Sequence, residues 1–312
     1  MHVTELKSQT TKAVTAKKSK LKTKSGNLSL ILFVLPAFIF YLVFLFVPTV
    51  GAGIYSFTDW NGLNQTYNFV GFSNYIEAFR DDSAFRSSFW FTLKYTIFIF
   101  VIQNVVALFL ALLIESRVKS KGFFRTIFFM PNMISLIISS LMFSFIFTNV
   151  FPELSKQAIF SVLDQSWIGD PKVSFYSILI VSLWQGIGYM MVIYMAALQG
   201  VPKHLKEAAM IDGANVFQRV NHVILPMIMH AITICSFLTL NAAFKVFDVV
   251  YALTQGGPGT STQVMALNIY EEAFSNNFRF GYANAKAMIL FLVVIIITLI
   301  QVSILKRKEV EA

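Results

Sequence analysis

The chain has 312 residues, of which 56% are hydrophobic and 13% charged, and its formal net charge is +9. Soluble domains carry about 25% charged residues and need a polar shell over their core, so this composition excludes an ordinary soluble protein. The positive charge lies in short clusters between apolar runs, which orients membrane proteins; no basic groove interleaved with aromatics is present, so no nucleic-acid partner is expected.

Residues 1–27 form a tail with seven lysines, too poor in apolar groups to fold alone, and read as a basic cytoplasmic tail. Leu28 to Val50 carries no charge. A signal peptide has a shorter apolar core nearer the start, so this run predicts an uncleaved first transmembrane helix, bent or ended near Pro48. Five more charge-free stretches follow: Tyr95 to Ile114, Thr126 to Phe151, Val173 to Val201, Val223 to Phe244 and Ala287 to Leu305. Each approaches or exceeds the ~20 helical residues that cross a bilayer, and none alternates as a barrel strand would. The expected fold is an all-α integral membrane protein with six transmembrane helices, at about 28–50, 92–114, 126–149, 173–199, 223–250 and 285–305, within a transmembrane domain at 28–308. Cys235, the single cysteine, lies inside an apolar run and predicts a packed side chain.

With the N-terminus inside, the cytoplasmic segments hold seventeen Lys and Arg: the tail, Arg117 to Arg125, Lys203 to Arg219, and Lys306 to Lys308. The outer segments hold six: Arg80, Arg86, Lys156, Lys172, Arg279 and Lys286. That asymmetry predicts a multi-pass protein of the cell membrane with both termini cytoplasmic.

The connection at 200–222 is amphipathic, too charged for a span and too patterned for a linker. Pro202 suits a helix start, Leu205, Ala208, Ala209 and Asp212 follow at helical spacing, and Gly213 is the natural break before a second short helix from Asn215. By itself this could be an amphipathic loop lying on the membrane surface. The string Glu207-Ala208-Ala209, then Gly213, then Val223-Ile224-Leu225-Pro226 resembles the E-A-A–G–I-x-L-P signature of permease subunits of binding-protein-dependent ABC importers, with Val223 where that family usually has Ile. The match extends from Glu207 to Pro226 and favours the family's role, a coupling loop, over a surface loop.

Three further stretches resemble the sugar-importing branch: Phe69 to Tyr75, Phe247 to Gly259 with its Leu-Thr-Gln-Gly-Gly-Pro run, and Phe280 to Ala285. The permease type they resemble is that of the maltose-permease F or glycerol-phosphate-permease A chain. The resemblance covers Leu28 to Leu305 and implies a type I ABC importer permease fold. It implies a second homologous permease subunit, a dimer of ATP-binding cassette ATPase subunits and an extracellular sugar-binding protein as partners, besides membrane lipid. It implies no cofactor. Glu207, Ala208, Ala209, Asp212 and Gly213 would couple the spans to the ATPase, and the cargo would be a di- or oligosaccharide.

Polar groups within spans tend to face protein or a water-filled path. Ser182, Gln185, Gly186 and Tyr189 share one face of the fourth span, and the fifth carries Thr239, Asn241 and Ala243. By the resemblance, Asn132, Gln185, Gly186, Tyr189, Thr239 and Ala243 fall on substrate-path positions, with Asn241 beside them, although Ala243 has no hydrogen-bonding group. Helix packing explains the same residues, and both uses stay open. Lys245 and Asp248, at i,i+3 spacing, read as an interfacial ion pair or a contact for the binding protein or substrate. Thr260 to Asn277 reads as a docking surface for that protein, a cap over the helices, or both.

The sequence has no Gly-Lys dipeptide and hence no Walker A loop, so ATP hydrolysis is expected on separate subunits. His2, His204, His222 and His230 are scattered, and no nucleophile–base set or metal-binding motif is present, so the chain itself is expected to be non-catalytic and metal-free. An ion-coupled secondary sugar transporter is the alternative; it would need a carboxylate near mid-membrane, which the spans lack.

Overall fold

The computed structural model describes residues 24–117, 120–276, 278–307 and 309. Residues 1–23 of the basic tail, and Lys119 and Lys308 of the basic clusters, lie outside the described residues.

The chain divides into two compact units after Gly51. In the first, helix α1 (Lys24–Tyr41) runs through one π turn, Leu42–Phe46, into α2 (Val47–Tyr55), which leads into the second unit. The helix therefore does not end near Pro48, and Ile31–Tyr55 is one apolar stretch long enough to cross a bilayer. Proline lacks an N–H and its ring clashes with the carbonyl four residues back. Widening the turn just before it makes room. The same device recurs where π turns Ile146–Val150 and Val220–Ile224 precede Pro152 and Pro226.

The second unit continues with α3 (Ser73–Arg80), α4 (Ser83–Arg117), α5 (Lys121–Phe129), α6 (Leu136–Phe145), α7 (Phe151–Ser155) and α8 (Pro171–Gly200). The short α9 (Lys203–Ile211), α10 (Val216–Arg219) and α11 (Leu225–Met227) follow, then α12 (Met229–Phe244), α13 (Asp248–Leu253), α14 (Met265–Glu271) and α15 (Phe280–Lys306). Besides Ile31–Tyr55, four segments are long and apolar enough to span: Ser83–Ser116, Leu136–Ser155, Pro171–Gly200 and Phe280–Lys306. The pair Val216–Met227 and Met229–Phe244, bent by 75°, supplies a sixth. Among the described residues the only extended pairing is a single bridge between Thr58 and Phe69.

Two stretches differ from the charge-free pattern. Thr126 to Phe129 belongs to α5, and a 3-10 turn at Met130–Met133 with extended Ile134 separates it from α6. Pro131 accounts for the break, and the Gln185 side-chain amide donates to the Ile134 carbonyl at 2.6 Å. The stretch at 223–250 breaks at Ile228, and again where α12 stops at Phe244 and Phe247 takes φ −141°, ψ −58°. Lys245 and Asp248 are therefore not one turn apart on a continuous helix. Both are exposed and they form no ion pair, which corrects the pairing their spacing suggested.

Helix α4 packs along α8. Buried Ala107 and Ala111 let the two approach, with Met191 and Met195 in the same cluster. At Gly188 a Cβ would lie 1.7 Å from the Phe128 carbonyl oxygen, so α5 rests backbone-to-backbone on α8. A second core joins Tyr95, Ile178, Val249 and Leu267. Val105, Phe109, Ile296 and Leu299 point outward, as apolar side chains can in lipid.

One end of this unit is held by a buried cation. Lys286 on α15 is 0% exposed, and its Nζ lies 2.8 Å from Asp82 and 2.9 Å from Glu272. It also donates to Asn268 Oδ1 at 2.9 Å and sits over the Tyr282 ring. Arg279 grips Glu77 through two hydrogen bonds of 2.8 and 2.7 Å, tying α3 to the start of α15. Burial pushes the Asp82 carboxyl up, but hydrogen bonds from Lys286, the Phe85 N–H and Tyr282, with the Lys286 charge, hold it below its ordinary value of 3.8.

Gly188→Ala should lower stability by about 2 kcal/mol or more, while Gly200→Ala, with open space at its Cβ, should change it by under about 0.5 kcal/mol; thermal unfolding in detergent reads both. Lys286→Met leaves the partly buried Asp82 without its cation and Glu272 with only Arg279 at 3.6 Å, and should cost about 3 kcal/mol at neutral pH. A carboxyl whose folded pKa is depressed stabilises the fold above its unfolded pKa and loses that contribution as pH falls through the folded value. The deficit of Lys286→Met should therefore narrow as pH falls towards and below 3.8, when protonating Asp82 removes both the wild-type attraction and the variant's uncompensated charge.

Candidate functional site

The segment between the fourth and fifth spans is a stiff elbow. Helix α9 begins after Pro202 and is followed by Asp212. Gly213 takes φ +80°, in the left-handed region, with nothing within 4 Å of where a Cβ would sit, so conformation and not crowding requires glycine there. The Gly213 N–H reaches the Met210 carbonyl at 3.1 Å and the Ala214 N–H that of Ala209 at 3.0 Å, closing the helix end. Asn215 then caps α10 in a reciprocal box with Gln218, at 2.9 and 2.8 Å.

Glu207, Ala208, Asp212 and Gly213 are exposed, and Ala209 is partly so. Around the bend Ile211 is 87% exposed and Phe217 77%. Large apolar side chains at the tip of a hydrogen-bonded elbow mark a surface built to be covered. Beyond α10 the chain passes the π turn before Pro226 and the bend at Ile228 directly into α12, which carries Thr239 and Asn241.

The residues of the expected path fall into two groups. Gln185 is buried and uses its amide on the Ile134 carbonyl, beside the turn that holds Asn132. Gly186 accepts at its carbonyl from Gln103 Nε2 at 3.2 Å, and a Cβ there would strike that amide at 2.8 Å. Thr239 is buried; its hydroxyl accepts from Asn104 Nδ2 at 3.2 Å, while Asn104 Oδ1 accepts from the Tyr194 hydroxyl at 2.8 Å. These three positions are engaged in packing between spans. Tyr189 and Asn132 are exposed, and Asn241 is half-buried with its amide on the Phe237 carbonyl of its own helix.

Gln103 and Asn104 are not singled out by sequence reasoning, although they are adjacent amides in the charge-free run of the second span. They join the second, fourth and fifth spans at mid-helix through Gly186, Tyr194 and Thr239. Ser182 is likewise engaged, accepting from the Tyr95 hydroxyl at 2.8 Å.

Residues 103–310 match the family of binding-protein-dependent transport system inner membrane components. The chain is 40% identical over 280 residues to the "Probable starch degradation products transport system permease protein AmyD" of Thermoanaerobacterium thermosulfurigenes, covering 90% of this chain and 94% of that one. It is 34% identical to the multiple sugar-binding transport system permease protein MsmF of Streptococcus mutans, over 89% of this chain and 95% of the other. Its fold is that of a chain in the crystal structure of a bacterial ABC transporter involved in import of the acidic polysaccharide alginate, with a TM-score of 0.78 at 21% identity, covering 91% and 96% of the two chains. By this match and these relatives, the chain belongs to the family of binding-protein-dependent transport system inner membrane components.

Proposed function

We propose that this chain is the permease subunit of an ATP-driven importer for a di- or oligosaccharide. It would sit in the cell membrane with both termini cytoplasmic, beside a second related permease. A pair of separate ATPase subunits would hydrolyse ATP, and an extracellular binding protein would deliver the sugar. The names of AmyD and MsmF support sugar as the cargo class, as does the Gln255-Gly-Gly-Pro258 run. The asymmetry of Lys and Arg supports the orientation.

The observation that carries this reading is the elbow at 203–219, which presents Glu207 and Ile211 to a partner and continues without a flexible linker into α12. Closure of the ATPase pair would move the elbow as a body. The capped helix ends around Gly213 resist absorbing that motion locally, so it would pass through the bend at Ile228 into the fifth span. There Thr239, Asn104 and Tyr194 link it to the second and fourth spans, and so to the proposed path at Asn132, Gln185, Gly186, Tyr189 and Asn241. The Gln103 amide packs on Gly186, so the side chain free to meet a sugar on this face is Tyr189, which offers an aromatic face and a hydroxyl.

The ATPase subunit should co-purify with the wild-type chain and be retained less by Glu207→Ala. Gly213→Ala forces a residue with a Cβ into the left-handed region at a cost of about 1–2 kcal/mol, and should uncouple uptake from ATP hydrolysis at normal membrane levels. Unchanged ATP-dependent uptake in both variants refutes the coupling assignment. Tyr189→Ala should raise the KM for sugar uptake by roughly 2- to 10-fold, as loss of one aromatic contact predicts, with co-purification of the ATPase unaffected.

A further inference from the structure

A pocket of about 810 Å³ opens where the last turns of α4 meet the elbow. Phe109 and Leu113 of α4, Leu198 at the end of α8, and Phe217 and Ile224 of the elbow segment form its apolar wall. Phe109 is 57% exposed and Leu113 44%, so the wall is open on the side where α4 turns apolar groups outward. Four cations line the same pocket: Lys121, Lys203, Lys206 and Arg219. Lys121 is neutralised by Glu115 at 2.7 Å. Lys203, Lys206 and Arg219 make no ion pair among the described residues; Lys206 reaches only the Leu198 carbonyl, at 3.5 Å.

An apolar wall together with three cations that make no ion pair among the described residues fits an anionic amphiphile. A soluble anion would leave the wall wet, and an apolar ligand would leave the cations unanswered. Glu115 adds a second requirement. One of its carboxylate oxygens holds Lys121, and the other, Oε2, is buried with no partner among the described residues. That oxygen repels a phosphate and calls for a donor, such as a hydroxyl of the headgroup.

We propose that this pocket binds one anionic phospholipid of the inner leaflet with a hydroxylated headgroup, of the phosphatidylglycerol class. An acyl chain lies along Phe109 and Leu113, the phosphate sits among Lys203, Lys206 and Arg219, and a headgroup hydroxyl donates to Glu115 Oε2. The placement at the inner leaflet rests on the orientation proposed above. Phe217 belongs to the elbow, Val220 to the π turn that follows it and Leu198 to the fourth span, so the lipid would lie between the coupling element and the bundle it moves.

Native mass spectrometry of the intact importer in detergent tests this, with phosphatidylglycerol, phosphatidylethanolamine, phosphatidylcholine or inorganic phosphate added. The wild type should retain one phosphatidylglycerol per copy of this chain, about tenfold or more over phosphatidylcholine, and the double variant Lys206→Glu, Arg219→Glu should lose that preference. Equal retention of phosphatidylcholine or phosphatidylethanolamine, unchanged retention in the double variant, or displacement by inorganic phosphate would overturn the proposal; the wild-type series decides even where the variant does not fold. The same spectra report the ATPase subunit by mass. An importer that keeps the ATPase but shows no lipid preference defeats only the lipid site, and one that keeps the lipid without the ATPase defeats only the coupling reading.

Discussion

In hydrocarbon every backbone N–H and C=O must find its partner within the protein, and the fold can be understood as the ways this chain meets that demand while interrupting its helices. At Met130–Met133 the helix breaks, and Gln185 reaches across from α8 to the Ile134 carbonyl. At Ile228 the chain bends by 75°, yet the Ile228 N–H reaches the Ile224 carbonyl at 3.1 Å and the Ala231 N–H that of Ile228 at 2.9 Å. Beyond Phe244 the Val246 N–H turns back to the Ala243 carbonyl at 3.3 Å. Interruptions of this kind cost several kcal/mol when left open, so their closure is a condition of insertion. They lie at the elbow, beside Asn132 and at the end of α12, where the proposed function places movement and cargo.

The two ends of the second unit are built on opposite principles. Around Lys286, residues far apart in sequence are drawn to one buried charge, and Arg279 adds a two-pronged grip on Glu77. The elbow has local capping, an open glycine and apolar side chains exposed at its tip. The first arrangement satisfies its own charges; the second leaves large apolar side chains exposed, as the proposed docking of an ATPase on the elbow requires.

Much of the architecture was legible because lipid imposes a simple rule on sequence. Long runs without charge marked the spans, and Gly213 followed by Asn215 marked the elbow through backbone chemistry that depends only on nearest neighbours. The break between Thr126 and Leu136 was not legible from charge: Pro131, which causes it, carries none, and the Ile134 carbonyl it leaves is answered by Gln185, about fifty residues away. Lys245 and Asp248 misled because their spacing presumes an unbroken helix, and Phe247 departs from one. Lys286 counted as an ordinary outer charge because its partners, Asp82 and Glu272, come together only in three dimensions. Of the expected path, Gln185 and Thr239 keep their neighbourhood but have their polar atoms engaged, a distinction that side-chain type alone does not contain.

The π turns ahead of Pro48, Pro152 and Pro226 each hold one residue more than an α turn of the same rise. One residue corresponds to about 100° about the helix axis, so each insertion rotates everything beyond it relative to the segment before. Faces projected from sequence across 42–46, 146–150 or 220–224 are thus out of phase on their two sides. Losing a single residue there would tighten the coil to an ordinary turn and swing the remaining half of the rod by over a quarter of a revolution. Small changes of length in these places would re-aim whole surfaces while leaving the number of membrane crossings intact.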